Sequence, residues 1–465
     1  MKNIILVDRN LFFIDDILRN TENDIVVLVV DNDQQDISKY RLDPRVKYIC
    51  TVAELDTLDS TEGLDFGFAR LCKDVQLKAE NAMLRFETDY SEKKYRYYMG
   101  LAFWKTIFEE YAIDTVFVSG VSHGFVYDGV LLGVALQYRV PAYSLNSLGA
   151  GRCYSFIFDH NNNTIAEQEN KRYISDIRYY LQNGQYDVLH LPFDGETERE
   201  KTGKSTSPIK RWVSQKVYRF FGYYGCAILR ALKNRSMFQK KQICSSGFNV
   251  SLYDILKSYY KIYFIQRYLD KHEVKVNLSE KFIYYPLHLE PEASTQTRMA
   301  MEEQTVIIKM LSECLPPGWK VFVKEHPHQY KTNNVYSYYL ILNGELFKSK
   351  CFYDRILSLP NVVLVSRDYS GAELIEKSQA VANLAGSVLL ETIPFKKPIL
   401  LFSEFHPFLH ADSVLKCFSY DECKKNVQRI YEGYEPNYDD ILPIMNQYVS
   451  ASYDELRQNV VTFLR

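Results

Sequence analysis

The first 160 residues alternate short apolar runs with amphipathic stretches. Four of the apolar runs have the length and the β-branched content of buried strands: Asn3 to Val7, Ile25 to Val30, Val46 to Cys50 and Thr115 to Ser119. A longer stretch, Ser91 to Ala112, has apolar residues at helical spacing and begins with a serine that can cap a helix. Strands that alternate with helices predict a parallel sheet with crossover helices.

A second alternation of the same kind starts at about Ser279. Its predicted strands lie in the stretches KFIYYPL, WKVFVKEHP, NVVLVS, QAVANLAGS and PILLF, and helical patterns separate them. The predicted fold class is therefore α/β with two Rossmann-like domains. We place the first domain at 1–195, a basic and aromatic-rich helical region at 196–278, and the second domain with its terminal helices at 279–465.

The middle region differs in charge from the rest of the chain. Lys201 to Lys241 holds eleven Lys or Arg and no Asp or Glu, interleaved with aromatic and aliphatic residues. Such a segment can lie on an anionic membrane surface, and a helix with a solvated basic face explains the pattern equally well. A nucleic-acid partner is not expected, because neither half of the chain otherwise carries a basic surplus.

Charge and cysteine content narrow the class of protein only slightly. The 465 residues include 56 Lys or Arg and 58 Asp or Glu, and the resulting net charge of −2 does not indicate a charged partner. Nine cysteines show no CxxC pair, which predicts reduced thiols and no zinc site. With no apolar run near the roughly 20 residues of a membrane span, we expect a cytoplasmic protein, with peripheral binding to the inner face of the membrane as an option.

Polar residues collect where predicted strands of the second domain end. The three clusters are YYPLHLEPEAST with His288 and Glu290, KEHP with Lys324, His326 and Pro327, and LAGS with Gly386 and Ser387. Proline ends a strand because it lacks an N–H, and a small hydroxyl residue at a helix start suits an anion. Each cluster alone also fits a capped histidine or a simple N-cap. Because strand ends of one parallel sheet converge, the three together predict a nucleotide phosphate site.

These three clusters resemble the bacterial capsular polysaccharide synthesis proteins, which include β-Kdo transferases that use CMP-activated sugars. The likeness covers about 282–402 well and the first 150 residues loosely. It implies a GT-B-like arrangement, two Rossmann-like domains facing a central cleft, with the nucleotide donor on the second domain and the acceptor on the first. It also implies that His326 contacts the CMP phosphate, that Gly386 and Ser387 form the anion-binding turn, and that Glu373 reaches a ribose hydroxyl.

The expected chemistry is metal-independent glycosyl transfer. No DxD-like acidic pair falls at a strand end of the second domain. Lys324 and His326 are therefore expected, with the helix start at Ser387, to stabilise the charge that grows on the leaving phosphate. We expect no metal and no cofactor beyond the CMP-sugar donor. The acceptor hydroxyl must lose a proton, and the candidate bases are His123 and Asp128, which follow the fourth strand, with Glu290 and Glu292 as rivals.

The predicted function is transfer of a CMP-activated sugar, of the Kdo, sialic or another ulosonic acid type, to a surface polysaccharide or glycolipid. Two other classes stay open. A glycerophosphotransferase using CDP-glycerol or a UDP-sugar epimerase of GT-B fold would share the nucleotide half, and a noncatalytic capsule-assembly subunit would share only the fold. Whether the protein binds CMP, CDP or UDP most tightly distinguishes these function classes.

Overall fold

In the computed structural model, the described residues are 1–31, 37–85, 89–120, 124–147, 155–167, 241–242, 249–250, 252–292, 295, 300–327, 329, 344–384, 386–450 and 453–465. Two features of the sequence analysis, the candidate base His123 and nearly all of the basic segment Lys201 to Lys241, lie outside these residues.

A seven-stranded sheet forms the first domain. Its strands are β1 Asn3–Val7, β2 Asp24–Val30, β3 Val46–Thr51, β4 Thr115–Val118, β5 Ala142–Ser147, β6 Ser155–Asp159 and β7 Thr164–Ile165. They lie in the order β3-β2-β1-β4-β5-β6-β7, parallel as far as β5 and antiparallel from β5 to β7. The parallel part has the 3-2-1-4-5 order of a Rossmann fold.

Helices connect these strands, and most of them bury apolar side chains in the core of the domain. They are α1 Ile14–Asn20, α2 Ser38–Arg41, α3 Val52–Asp56, α4 Phe66–Leu71, α5 Lys73–Met83, α6 Tyr90–Glu110 and α7 Leu131–Gln137, with a π-helical turn at Val126–Val130 before α7. The longest, α6, is capped by Asp89, whose side chain accepts from the Glu92 N–H. It buries Trp104 completely, and the indole donates to the Val126 carbonyl at 2.6 Å. This hydrogen bond anchors the π-helical turn after β4 to helix α6.

A short antiparallel hairpin, β8 Lys241–Gln242 and β9 Asn249–Val250, precedes the long helix α8 Leu252–His272. The inner side of α8 buries Ile262, Ile265 and Leu269 in the core of the second domain. This helix, which the sequence analysis put in the middle region, therefore packs with the second domain.

A six-stranded, fully parallel sheet forms the second domain. Its strands are β10 Phe282–Pro286, β11 Lys320–Lys324, β12 Val362–Val365, β13 Ala380–Asn383, β14 Ile399–Leu401 and β15 Leu415–Lys416, and its helices are α9 Gln304–Cys314, α10 Lys350–Leu357, α11 Gly371–Lys377, α12 Val388–Thr392 and α13 Tyr420–Tyr431. The order β12-β11-β10-β13-β14-β15 is again the Rossmann order, 3-2-1-4-5-6. The two sheets confirm the predicted α/β fold class with two Rossmann-like domains.

Two last helices, α14 Ile441–Tyr448 and α15 Tyr453–Leu464, return the chain to the first domain. The apolar side of α15 joins the core of β1 and β2, and the Leu464 carbonyl accepts from Asn23 Nδ2 at 3.0 Å. Between these helices, Ser450 exchanges two backbone hydrogen bonds with Ser155 at the start of β6. The sequence analysis grouped the terminal helices with the second domain, whereas α15 packs on the first. In the described part of the chain, no helix combines the length and the apolar character that crossing a membrane requires.

Candidate functional site

Three residues form a row across the carboxyl ends of β11, β10 and β13. Lys324 is paired with Pro286, and the register of β10 with β13, continued by two residues, brings Pro286 opposite Asn383. Side chains alternate along a strand, so Lys324 and Asn383 lie on the same face of the sheet as Phe322 and Val381, which share one core cluster. The strand order reverses between β10 and β13, and this switch point is where open parallel sheets bind their ligands.

Asn383 organises the loop that follows β10. Its Nδ2 donates to the Pro286 carbonyl at 3.1 Å, which orients the amide and leaves Oδ1 as an acceptor. Oδ1 accepts from the Gly386 N–H at 2.6 Å and lies 2.9 Å from Nε2 of His288. Since Oδ1 has no proton to give, Nε2 of His288 must carry one. On the other side of the ring, Nδ1 lies 3.7 Å from Glu292 Oε2.

The backbone passes close to this pair at Gly386. A Cβ atom at this position would come within 3.0 Å of Asn383 Oδ1 and 3.5 Å of His288 Cε1, so glycine allows the close approach. The next side chain, Ser387, donates to Glu391 Oε1 at 3.3 Å and makes no capping bond to the backbone. Gly386 and Ser387 therefore follow the end of β13, the serine hydroxyl is bound to a carboxylate one helical turn away, and the anion-binding role of this pair stays a prediction.

Lys324 is a buried cation without a close counter-ion in the described part of the chain. The residue is 8% exposed, and none of the described residues forms a hydrogen bond or ion pair with its ammonium. Burial lowers the pKa of the Lys324 ammonium below its ordinary value, and the charges of Glu273 and Glu391 oppose that change. Desolvating a charge without compensating it is costly, so an anion bound here would recover part of that cost.

The neighbouring Glu325 has a structural role. Its Oε1 accepts from Lys348 Nζ and from the His326 N–H, each at 2.7 Å, and its Oε2 accepts from Tyr353 at 2.5 Å. Lys348 also donates to the His288 carbonyl and so joins the loops after β10 and β11. Within KEHP, Glu325 therefore stabilises the loop after β11. His326 is half-buried and Pro327 is exposed.

Glu290 also braces its loop. Its two carboxylate oxygens accept from Gln304 Nε2 and from Thr295 Oγ1, both at 3.2 Å, and its backbone N–H donates to Gln329 at 2.8 Å. Both carboxylate oxygens of Glu290 thus accept hydrogen bonds within the loop. The role of Glu290 as a base stays a prediction. Glu373 lies exposed in the first turn of α11.

In the first domain, Asp128 is fully buried inside the π-helical turn. Its Oδ1 accepts from the Phe125 N–H at 2.7 Å and from the Gly129 N–H. A Cβ at Gly129 would lie 2.4 Å from the Gly124 Cα, so the turn requires glycine there. The carboxylate therefore holds the turn that follows β4, and its predicted role as a base stays a prediction.

A polar cluster that the sequence analysis missed surrounds this turn at the ends of β1, β2 and β3. Arg9 binds Asp31 with Nε 2.6 Å from Oδ1, and its Nη1 donates to the Tyr127 hydroxyl at 3.3 Å. Burial raises the pKa of the Asp56 carboxyl to about 7; Arg96 opposes the rise and Asp128 adds to it. The buried Oδ2 of Asp56 has no hydrogen-bond partner.

A cavity of about 480 Å³ opens between α4, α5 and α6, lined mainly by apolar side chains together with Arg70 and Lys73. No strand-end residue contributes to it, so it is separate from the site described above. The described residues contain no group of three or more His, Cys, Asp or Glu side chains that could hold a metal ion.

Fold and site thus define an α/β protein whose second Rossmann-like domain presents a buried lysine and a histidine–asparagine pair at its topological switch point. No protein-family model matches the sequence, and no curated protein matches it either.

Several solved structures are similar over much of the chain at low identity. UDP-GlcNAc 2-epimerase from Methanocaldococcus jannaschii is 11% identical, with 99% of this chain and 98% of that chain covered and a TM-score of 0.26. The β-Kdo 2,7 transferase KpsC of Thermosulfurimonas dismutans is 9% identical, with coverages of 78% and 89% and a TM-score of 0.30. A UDP-forming α,α-trehalose-phosphate synthase from Burkholderia xenovorans is 10% identical, with coverages of 99% and 96% and a TM-score of 0.29. Similarity at this level does not assign the chain to any of these families.

Proposed function

We propose that the chain is a glycosyltransferase that binds the phosphate of a nucleotide-sugar donor at the carboxyl ends of β10, β11 and β13. The observation that carries the proposal is Lys324, a desolvated cation without a close counter-ion among the described residues, at the switch point of a Rossmann-like sheet. A lysine in that state destabilises the free protein, and an anionic ligand supplies the missing partner.

The width of the site suits a phosphate. Lys324 and Asn383 lie two strands apart on one face of the sheet, which separates their backbones by about 10 Å. His326 follows the strand of Lys324, and Gly386 follows the strand of Asn383. A phosphate between them has the lysine and the His326 ring on one side and the Gly386–Ser387 turn on the other.

In the proposed reaction, the bond between the anomeric carbon and the phosphate oxygen breaks and the acceptor hydroxyl oxygen bonds to that carbon. The hydroxyl proton passes to a base, and the nucleotide leaves with the negative charge. Lys324 and His326 act on that leaving phosphate, and they are fixed in place by strand β11 and by the Glu325 contacts before the charge develops. His123, Asp128 and Glu290 are the proposed candidates for the base.

For the donor we propose a CMP-activated sugar of the Kdo, sialic or another ulosonic acid type, and for the acceptor a surface polysaccharide or glycolipid. The support is the resemblance of the strand-end clusters to the capsular polysaccharide synthesis proteins, together with the presence of all three clusters at one edge of one sheet.

The test is calorimetric titration of CMP, CDP and UDP, followed by mass spectrometry of products from a panel of CMP-sugars and acceptors. Lys324→Met and His326→Ala are each expected to weaken CMP binding about tenfold to a hundredfold, since a hydrogen bond to a charged group contributes about 1.5–3 kcal/mol. Lys320→Met is the matched control, because Lys320 begins the same strand and pairs with Glu280 at the opposite end.

The outcomes discriminate between the function classes. Preference for CMP with sugar transfer supports the proposal, and transfer of glycerophosphate from CDP-glycerol replaces it with the glycerophosphotransferase. Preference for UDP points to an epimerase, and absence of all nucleotide binding in a folded chain points to a noncatalytic subunit. Equal CMP affinity of wild type and Lys324→Met would remove Lys324 from the site.

A further inference from the structure

Helix α8 has one buried side and one exposed side that is rich in aromatic residues. Among the side chains that the structure describes, the buried side includes Ile262, Ile265 and Leu269. On the exposed side Tyr260 is 66% and Phe264 51% exposed, although large aromatic side chains are usually buried in a protein of this size. Such a concentration of exposed aromatic area on one helix calls for a partner.

The exposed aromatic and basic residues of α8 form one continuous stripe. At 100° per residue, six of them fall within an arc of about 80° and extend over about 27 Å of helix. They are Tyr253, Lys257, Tyr260, Phe264, Arg267 and Lys271, each of them exposed. We call these six residues the outer stripe. Tyr263 lies beside it, 5.6 Å from the Phe264 ring centre and beneath the Arg267 guanidinium.

All charged residues of the outer stripe are positive. The two acidic residues of α8, Asp254 and Asp270, fall outside the arc, and Asp270 is bound to Arg367 at 2.6 Å. Lys257, Arg267 and Lys271 therefore face outward between aromatic rings with no carboxylate in the arc. The stripe is complementary to a surface that is anionic and accepts aromatic rings at its boundary.

We propose that the outer stripe of α8 binds the surface of an anionic lipid bilayer, with the helix lying in the plane of the headgroups. Aromatic side chains prefer the boundary between headgroups and acyl chains, and cations pair with anionic headgroups. The convex side of a helix suits a flat partner and cannot enclose a small ligand. Upstream of this helix, the sequence carries the eleven Lys and Arg of Lys201 to Lys241, so the charge of that segment has the same sign.

The surface would bring the enzyme to a lipid-linked acceptor, yet the inference stands independently of the nucleotide site. No residue of the outer stripe lies at a strand end of either sheet. Loss of vesicle binding and loss of nucleotide binding can therefore be measured separately on the same variants.

The test is flotation of the full chain with vesicles that contain about 30% phosphatidylglycerol in phosphatidylcholine, against pure phosphatidylcholine. Wild type is expected to float with the anionic vesicles at low salt and to be released at 1 M salt, where the Debye length falls to about 3 Å. Lys257→Gln with Arg267→Gln is expected to lower the partition coefficient by roughly tenfold to thirtyfold. Tyr260→Ser with Phe264→Ser is expected to lower it by at least tenfold.

A matched control is Phe66→Ser with Arg70→Gln on α4, an exposed aromatic and cation pair on another helix. The control should float as wild type does, and CMP affinity should be equal in all variants. The proposal is overturned if wild type ignores anionic vesicles at low salt, or if both stripe variants float as wild type does. Binding to a soluble polyanion such as dextran sulfate without binding to vesicles also overturns it, in favour of a polysaccharide surface.

Discussion

Lys348 and Glu325 form an ion pair with neither side chain exposed, the Nζ atom lying 2.7 Å from Oε1. The pair joins the end of β11 to the turn before α10, and a further bond from Lys348 reaches the His288 carbonyl. One buried lysine therefore positions two loops of the candidate site, those after β10 and β11. The partner of this lysine is the carboxylate of the KEHP stretch.

Lys348→Met is expected to lower the free energy of unfolding by about 3–5 kcal/mol, because it leaves the Glu325 charge buried without its cation. Urea unfolding measures the change. The matched control is Lys350→Met, since the exposed pair of Lys350 with Asp354 contributes at most about 1 kcal/mol. Adding Glu325→Gln to Lys348→Met should restore part of the loss. Equal effects of the two lysine substitutions would contradict a structural role for the buried pair.

Lys324→Met is expected to raise the stability of the ligand-free protein at pH 7, in contrast to its effect on CMP binding. The folded pKa of Lys324 is lowered, so between that pKa and the ordinary value of about 10.4 the unfolded chain binds more protons than the folded one. Wild-type stability should therefore rise with pH through that window, and the cost of burying the charge is fully present below the folded pKa. Melting temperatures of wild type and variant at pH 7 and pH 10 test this, and a less stable variant at pH 7 would contradict it.

Asp56→Asn is expected to stabilise the protein above pH 7. The folded pKa of Asp56 is about 7 and the unfolded value about 3.9, so the folded state holds the extra proton between them. The stability that this group contributes is present at low pH and is lost as pH rises to 7. At pH 8 the variant should gain on the order of a few kcal/mol in urea unfolding. The exposed Asp59→Asn is the control, and parallel pH profiles of Asp56→Asn and wild type would refute the prediction.

Gly386→Ala is expected to weaken CMP binding by more than tenfold while the protein stays folded. The added methyl group would press on Asn383 Oδ1 and His288 Cε1 and shift the turn that follows β13. Gly120→Ala is the control, because a Cβ there meets no atom within 4 Å. Calorimetry measures both affinities, and an unchanged affinity in Gly386→Ala would separate this turn from the nucleotide site.

Transferase activity is expected to survive excess EDTA. A CMP-sugar carries a single phosphate, and the second domain has no DxD-like pair at a strand end to hold a divalent ion against it. Product formation with and without EDTA, read by mass spectrometry, is the measurement. Loss of activity that magnesium or manganese restores would contradict the metal-independent mechanism and count against the CMP donor.

Local pattern predicted strands β1 to β4 and β10 to β14 and the places where they end, and it missed β8, β9 and β15. Strand β1 spans Asn3–Val7, the same residues as the apolar run, because an uninterrupted buried strand leaves its signature in adjacent residues. Sequence spacing says nothing about partners far along the chain, so the roles of Glu325 and Asn383 depended on contacts with residues 23 and 95 positions away. The sequence analysis placed His288 in the cluster after β10. Only the orientation of the Asn383 amide shows which nitrogen of the His288 ring carries the proton.

The attachment of α15 to β1 and β2 has a consequence for synthesis of the protein on the ribosome. The bond between Asn23 and Leu464 spans 441 positions, and the apolar surface that α15 covers belongs to strands that are made several hundred residues earlier. At roughly 5–20 residues per second, the 299 residues between Ile165 and Leu464 take about 15–60 s to emerge. For that interval the nascent first domain exposes an apolar patch, and a chaperone that shields it would determine how much chain reaches the native state.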